Sequence, residues 1–202
     1  SIDGKNIIIL GAGGVAKEVA REIARKKAGR IIILNRTYSK ANTIAEELNQ
    51  TYGQVASSGG EEIIRGYLLN SFLRPNAVIN LTDKGSDGLL AEYAAFATAD
   101  IKCQNGIGNN LTQSRIIARE LSKLNPKIVI ADIVLPKSKK PITLRIAENE
   151  GLANLLDGIS MVVNQAAPAY VYVQEANPKV HTKKVDEKQA LEIFKEVTHL
   201  NE

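Results

Sequence analysis

At 202 residues and a formal net charge of +4, the chain has the size of one large domain or two small ones and is mildly basic. Its lysines and arginines are spread out and only 4% of its residues are aromatic, so nucleic-acid binding is not indicated. The single cysteine, Cys103, excludes an internal disulfide and a cysteine-cluster metal site, and it is expected to be a small core residue. No apolar run is long enough to span a membrane and no signal peptide is recognisable, so a cytoplasmic location is expected.

The most informative segment joins an apolar strand to a glycine-rich turn. Residues 7–10 are all apolar and predict a buried parallel strand, and the glycines after them lead into a helix predicted over residues 15–27. Gly11 permits the tight turn, Gly13 lets a pyrophosphate approach the backbone, and Ala16 lets the helix pack closely on the strand. Phosphates there would face free N–H groups at a helix N-terminus. The segment therefore predicts a dinucleotide site.

A second buried strand is predicted over residues 30–34, and the residues after it bear on the choice of cofactor. NAD-binding folds usually carry an Asp or Glu here that accepts hydrogen bonds from the ribose. This chain has Asn35, Arg36 and Thr37 instead, with Lys40 one helical turn further on. A guanidinium binds a 2′-phosphate that a carboxylate would repel, so NADP(H) is predicted over NAD(H). The alternative is that Arg36 and Lys40 are ordinary solvated charges, although cations are unfavourable at a helix start.

The rest of the chain alternates between strand and helix patterns. Strands are predicted near Val55, at residues 76–80 and at residues 127–134; helices are predicted around residues 41–48, 61–72, 88–98, 111–124, 141–150, 160–173 and 186–200. Residues 104–110 are rich in Gly and Asn, which predicts a flexible turn that forms a lid or a partner surface. The alternation predicts an α/β fold: a Rossmann-like, doubly wound, mostly parallel sheet with helices on both faces.

Several short motifs occur in a characteristic order. They are Gly4-Lys5, residues 11–16, Asn35-Arg36-Thr37 with Lys40-Ala41, Asn80-Leu81-Thr82 with Gly85, Asp132-Ile133-Val134, Pro141, and residues 157–166. Together they resemble the C-terminal NADP-binding domain of the shikimate dehydrogenase (shikimate/quinate 5-dehydrogenase) family. The last motif is the specific one, because generic Rossmann domains do not carry it. The likeness covers nearly the whole chain, although residues 86–126 form a longer segment than the family leads us to expect.

The resemblance implies roles for individual residues. It implies that the pyrophosphate is bound by Gly11, Ala12, Gly13, Gly14 and Val15, and that the adenosine 2′-phosphate is bound by Asn35, Arg36, Thr37 and Lys40. It implies that the middle of the cofactor lies along Asn80, Leu81 and Thr82, and that the nicotinamide is positioned by Ile133, Gly158 and Met161. It also implies that Gln165 reaches a substrate hydroxyl, and a glutamine in so apolar a run needs a polar partner if that face is buried. The simpler alternatives are that Gly158 is only a loop glycine and Met161 only core filler.

No catalytic residue is assigned in this chain. Alcohol oxidation pairs hydride loss with removal of a proton, which the family is understood to perform with a Lys–Asp pair in an N-terminal substrate domain. The chain begins at Ser1, immediately before the first strand, so that domain is expected to be absent. Asp83 and Lys84 are expected to be solvated loop residues.

The substrate is left open by one departure from the family. Leu135-Pro136 stands where the family has Tyr-Asn, and a leucine cannot donate a hydrogen bond to a substrate carboxylate. Lys137 or Lys139 could attract such a carboxylate instead.

Residues 1–202 are therefore interpreted as one NADP-binding domain of an oxidoreductase that acts on a small hydroxy acid such as shikimate. Helices over residues 159–202 are expected to pack toward the absent substrate domain, or to pair two copies of the chain in a homodimer. Two alternatives remain: a non-catalytic NADP(H)-sensing module, or the NADP domain of another reductase such as glutamyl-tRNA reductase. The motif at residues 157–165 argues against the second alternative.

Overall fold

The computed structural model describes residues 1–135, 140–176 and 185–197. Its chain forms two compact units, Ser1–Leu156 and Asp157–Glu202. Pro136, Lys137 and Lys139, the last two considered above as attractants for a substrate carboxylate, lie outside the described residues.

The first unit is organised around a six-stranded sheet in the order β3-β2-β1-β4-β5-β6. The strands are β1 (Asn6–Leu10), β2 (Arg30–Asn35), β3 (Ala56–Gly60), β4 (Ala77–Asn80), β5 (Val129–Asp132) and β6 (Asn154–Asp157). The pairs β1–β2, β1–β4, β2–β3 and β4–β5 are all parallel. The strand order reverses direction at β1, so the carboxyl ends of β1 and β4 flank the crevice where such sheets bind ligands. The predicted Rossmann-like architecture is confirmed.

Helices of the first unit cover both faces of the sheet. They are α1 (Gly14–Arg25), α2 (Tyr38–Tyr52), α3 (Ile64–Leu68, after a 3₁₀ turn at Glu61–Ile63), α4 (Gly106–Leu124) and α5 (Ile142–Asn149). Successive residues of a strand point to opposite faces, and both faces are apolar here because both are covered. On one face Ile7, Ile9, Ile31 and Ile33 pack with α1 and α2. On the other face Ile8, Leu10, Ile32 and Leu34 pack with α3, α4 and α5.

The predicted helix at residues 88–98 is wrong. These residues form irregular turns, and their apolar spacing reflects burial of Tyr93, Ala94 and Phe96 in the core. The buried side chain of Asn110 replaces helical hydrogen bonding: its Oδ1 accepts from the Ala94 amide at 2.8 Å, and its Nδ2 donates to the carbonyls of Ala94, Ala97 and Thr98. Periodicity alone does not separate these two arrangements.

Other sequence-based boundaries also need correction. The predicted flexible turn at residues 104–110 is helical from Gly106 onward, so α4 starts five residues before the predicted position. The predicted helix over residues 61–72 is reduced to a 3₁₀ turn and the five residues of α3. Strand β6 was not predicted. Cys103 is exposed rather than part of the core.

The second unit consists of two helices that contact each other, α6 (Ile159–Ala176) and α7 (Glu187–Val197). Tyr170 and Phe194 pack edge to face, with ring centroids 6.2 Å apart. The buried Gln174 holds the residues before α7, because its side chain both donates to and accepts from the backbone of Val185. Both helices occur where they were predicted, with the last predicted residues, 198–200, outside the described part of the chain.

None of the helices in the described part of the chain combines the length and apolarity that crossing a membrane requires. Within the same residues, no cluster of three or more His, Cys, Asp or Glu side chains is arranged to hold a metal ion.

Candidate nucleotide-binding site

A cavity of about 340 Å³ opens at the carboxyl ends of the strands of the first unit. Its lining includes three segments: the turn after β1 (residues 11–13), the end of β2 with the start of α2 (residues 35–37 and Lys40), and the loop after β4 (residues 81–84). Sequence analysis assigned most of these residues to one cofactor, and the structure places them around one cavity. Four other predicted residues of the first unit do not line it: Gly14, Val15, Asn80 and Ile133.

The turn after β1 has only one side chain, the methyl group of Ala12. Gly11 has φ +110°, and a Cβ on it would lie 2.6 Å from the carbonyl oxygen of Leu81. The turn and the loop after β4 therefore meet with no room for a side chain. Gly13 precedes α1 in an extended conformation, has open space where a Cβ would project, and provides no side-chain cap for the helix. The first N–H groups of α1 are thus available to an anion.

The residues after β2 carry the positive charge of the cavity. The Asn35 side chain donates to the carbonyl of Thr37 at 2.9 Å, which shapes the turn into α2. Arg36 and Lys40 are both exposed and both line the cavity. Among the described residues, no carboxylate forms an ion pair with either of them. Two cations without acidic partners beside a helix N-terminus favour binding of a phosphate group.

A network of buried polar side chains holds the loop after β4. Asn80 is only 1% exposed; its Oδ1 accepts from the backbone N–H and the hydroxyl of Thr82, at 3.1 and 2.6 Å. Its Nδ2 donates to Oδ1 of Asp132 at 3.0 Å, which links the ends of β4 and β5. The backbone N–H of Lys84 then donates to the Thr82 hydroxyl. Asn80, predicted as a cofactor contact, does not line the cavity itself, and its side chain positions Thr82, which does.

Asp132 is held in this network at an energetic cost. Burial raises the pKa of its carboxyl from 3.8 to about 6, against hydrogen bonds from the Val134 amide and the side chains of Thr143 and Asn80 that favour the ionised form. A carboxylate withdrawn from water loses hydration that a few neutral donors replace only in part.

The expectation that Lys84 is solvated is wrong. Its side chain is 6% exposed and its ammonium contacts Oε1 of Glu61, whose side chain is 10% exposed. The same ammonium donates to the Ala97 carbonyl at 2.6 Å. Burial, with the charge of Arg36 acting in the same direction, lowers the pKa of Lys84 from 10.5 to about 7, although the contacting carboxylate favours the charged form.

Sequence reasoning missed Glu61 altogether. It follows β3, whereas Lys84 follows β4, and these strands are separated in the sheet by β2 and β1. Neighbouring strand ends therefore gave no signal for the pair. The one signal in the sequence for a role in the site was that Glu61 is an acidic residue expected at the carboxyl end of the predicted sheet.

The remaining predicted residues lie in the second unit, around the start of α6. Gly158 is buried just before the helix, Met161 is partly buried, and Asp157 accepts a hydrogen bond from the Ile159 amide at 3.1 Å. Gln165 is exposed, so burial does not oblige its side chain to find a polar partner. Its proposed contact with substrate rests on the resemblance alone.

A parallel sheet in this strand order, with a glycine turn before a free helix N-terminus and cations after β2, defines a Rossmann-type nucleotide-binding fold. Comparison with known proteins narrows the class. The family described as shikimate / quinate 5-dehydrogenase matches residues 1–64. The NADP(+) shikimate dehydrogenase of Alkaliphilus metalliredigens is 28% identical over 187 residues, which cover 92% of this chain and 56% of that protein. That of Pyrococcus abyssi is 30% identical over 169 residues, which cover 84% and 48%.

Solved structures show the same fold. Shikimate 5-dehydrogenase from Listeria monocytogenes, in complex with shikimate and NAD, superposes with a TM-score of 0.67 at 22% identity and covers 98% of this chain and 57% of that one. The ligand-free 5-ketofructose reductase of Gluconobacter sp. strain CHM43 gives 0.59 at 24% identity, covering 98% and 58%. The predicted resemblance to the shikimate dehydrogenase family is confirmed over most of the chain. It spans about half the length of the curated relatives that match it over most of its sequence.

Proposed function

We propose that this chain binds NADP(H) as the cofactor-binding part of a shikimate dehydrogenase-like enzyme. One observation carries the proposal: a single cavity brings together an uncapped helix N-terminus, a glycine turn whose only side chain is the Ala12 methyl, and two cations with no acidic partner among the described residues. The first two suit a pyrophosphate, because phosphate oxygens can approach the backbone N–H groups. Arg36 and Lys40 suit an additional phosphate on the adenosine ribose.

The preference for NADP over NAD is the finer part of this proposal. Asn35 stands where a carboxylate would bind the ribose hydroxyls of NAD, and Arg36 follows it. Curated relatives carry NADP(+) in their names, whereas the Listeria structure contains NAD. The argument for NADP in this chain rests on the charge around residues 35–40.

The reaction proposed is hydride transfer between the nicotinamide and a small hydroxy acid of the shikimate class. The nicotinamide, when bound, supplies the hydride chemistry, and the residues of this chain bind and orient the cofactor. Ile133, Gly158 and Met161 are proposed to lie at the nicotinamide, and Gln165 at a substrate hydroxyl. The Lys–carboxylate pair lines the same cavity as Arg36 and Lys40, which are proposed to bind the adenosine phosphate, so we propose no proton carrier among these 202 residues.

Isothermal titration of the 202-residue chain with NADP⁺ and NAD⁺ tests cofactor binding. Arg36→Ala is expected to weaken NADP⁺ binding roughly tenfold to hundredfold, as for the loss of a charged hydrogen-bonding partner, and to leave NAD⁺ binding nearly unchanged. Arg30→Ala is the matched control, because it removes an exposed arginine from the opposite end of the same strand. An NADP⁺/NAD⁺ affinity ratio that Arg36→Ala leaves unchanged would contradict the assignment.

A further inference from the structure

Phosphate binding leaves one conspicuous feature of the cavity unused. Glu61 and Lys84 form a buried ion pair in its wall, alongside the apolar side chains of Ile64, Leu81 and Leu90. A buried ion pair seldom adds to stability compared with apolar side chains of similar size. Its position in a ligand cavity therefore calls for an explanation in terms of binding.

Within the described part of the chain, each partner of the pair retains a hydrogen-bonding group without an assigned contact. The Lys84 ammonium carries three N–H groups, of which one goes to Glu61 and one to the Ala97 carbonyl. Oε1 of Glu61 accepts from Lys84 and, at 3.2 Å, from the Ala99 amide. Among the described residues no donor is assigned to Oε2 of Glu61. The two side chains, which contact each other in the wall of the cavity, thus retain one N–H group and one carboxylate oxygen to which the described residues assign no hydrogen bond.

The other residues that line the cavity indicate which part of a bound nucleotide would contact the Glu61–Lys84 pair. Under the proposed function, the pyrophosphate lies at residues 11–13 and the 2′-phosphate at Arg36 and Lys40. The part of the nucleotide left over is its base, a flat heteroaromatic ring whose faces suit apolar neighbours such as Ile64 and Leu90. The edge of an adenine presents an amino donor beside a ring-nitrogen acceptor.

We propose that Glu61 and Lys84 select adenine by recognising this edge. The Glu61 carboxylate accepts a hydrogen bond from the exocyclic amino group, and the Lys84 ammonium donates to the neighbouring ring nitrogen. A hypoxanthine base presents the reverse pattern, a carbonyl oxygen beside a ring N–H, and so places its oxygen against the carboxylate. The inference rests on the proposed function, because the phosphates define where the base lies.

A purely structural role is the competing explanation. Through Ala97 and Ala99 the pair also fastens the irregular segment before α4 to the sheet. If this were its only role, substitutions would weaken all nucleotides alike, because the shape of the cavity would suffer without any preference for one base.

The test compares NADP⁺ with nicotinamide hypoxanthine dinucleotide phosphate, which differs only in the base, by isothermal titration against the 202-residue chain. The unsubstituted protein is expected to prefer NADP⁺ roughly tenfold to hundredfold, as for other two-point contacts to a base edge. Glu61→Gln is expected to reduce this preference at least about fivefold, since the amide can turn its NH₂ toward the hypoxanthine oxygen. The control is Glu62→Gln, which alters an exposed carboxylate one residue away and should keep the wild-type ratio.

Equal affinity of the unsubstituted protein for the two nucleotides would overturn base selection and leave the proposed function standing. A Glu61→Gln protein with weaker binding but an unchanged ratio would also overturn it and favour the structural role. If the protein bound neither nucleotide, both the proposed function and this inference would be wrong. The wild-type ratio needs no substitution, so equal affinity for the two nucleotides would overturn the proposal even if Glu61→Gln does not fold.

Discussion

The cavity has two walls that are built in opposite ways. The turn after β1 is made of backbone: its function depends on side chains being absent at Gly11 and Gly13. The loop after β4 is held by buried polar side chains: Asn80 at the end of β4 and Lys84 within the loop are each tied to a residue near another strand end. The two walls touch where Gly11 meets the Leu81 carbonyl.

Because of this difference, we expect substitutions in one wall to affect mainly ligand binding and substitutions in the other to affect mainly the stability of the fold. A turn with a single methyl side chain contributes few contacts of its own, so substitutions there act mainly through the space they fill. Buried polar groups are costly when one partner is lost, so substitutions in the loop act mainly on stability. We therefore expect the loop after β4 to tolerate change far less well than most of the turn.

The largest effect is expected from breaking the buried ion pair. Lys84→Met would leave the Glu61 carboxylate in the protein interior without its counter-ion, which costs about 3–5 kcal/mol for buried pairs. The free energy of unfolding, from urea titrations at pH 6, where the Lys84 ammonium is mostly protonated, measures this. The double variant Glu61→Gln/Lys84→Met should recover a large part of the loss, because neither remaining group is charged.

Lys102→Met serves as the control, since it removes an exposed lysine from the segment that follows the same loop. A loss no greater for Lys84→Met than for this control would show that the pair does not stabilise the loop. The contrast between the two walls would then disappear.

At the contact between Gly11 and the Leu81 carbonyl, a substitution should affect stability as well as the space available to a ligand. Gly11→Ala forces a side chain into a positive φ and against the Leu81 carbonyl, which is expected to destabilise the fold by about 2–3 kcal/mol. Gly13→Ala has open space and a negative φ, so it should fold normally and instead lose affinity for NADP⁺. Chemical denaturation and titration calorimetry on both variants give the comparison. Equal free energies of unfolding for the two variants would show that the close approach of Gly11 to the Leu81 carbonyl does not affect the stability of the fold.

The same contrast explains what could be predicted from the sequence. The turn after β1 and the apolar strands β1 and β2 were predictable, because glycines and consecutive apolar residues act through local backbone geometry. Lys84 and Glu61 were not, since a buried polar group depends on a partner that lies 23 positions away in sequence and on a non-adjacent strand. The turns around Phe96 were mistaken for a helix because Asn110, not the helix pattern, satisfies their backbone groups.

The smallest of these effects concerns the pH dependence of the loop after β4. The pKa of Asp132 is raised by burial from 3.8 to about 6, so the folded protein binds a proton more tightly than the unfolded chain. Stability contributed by this group is therefore fully present at low pH and is lost as the pH rises from about 4 to about 6, by about 2 kcal/mol.

Asp132→Asn, which keeps an acceptor for the Asn80 amide and the Val134 N–H, should flatten that decline in urea titrations between pH 4 and 7. Asp83→Asn changes an exposed carboxylate of the same loop and should retain it. A decline that survives Asp132→Asn would assign the proton to another group, and the network at the ends of β4 and β5 would carry less strain than the burial of its carboxylate implies.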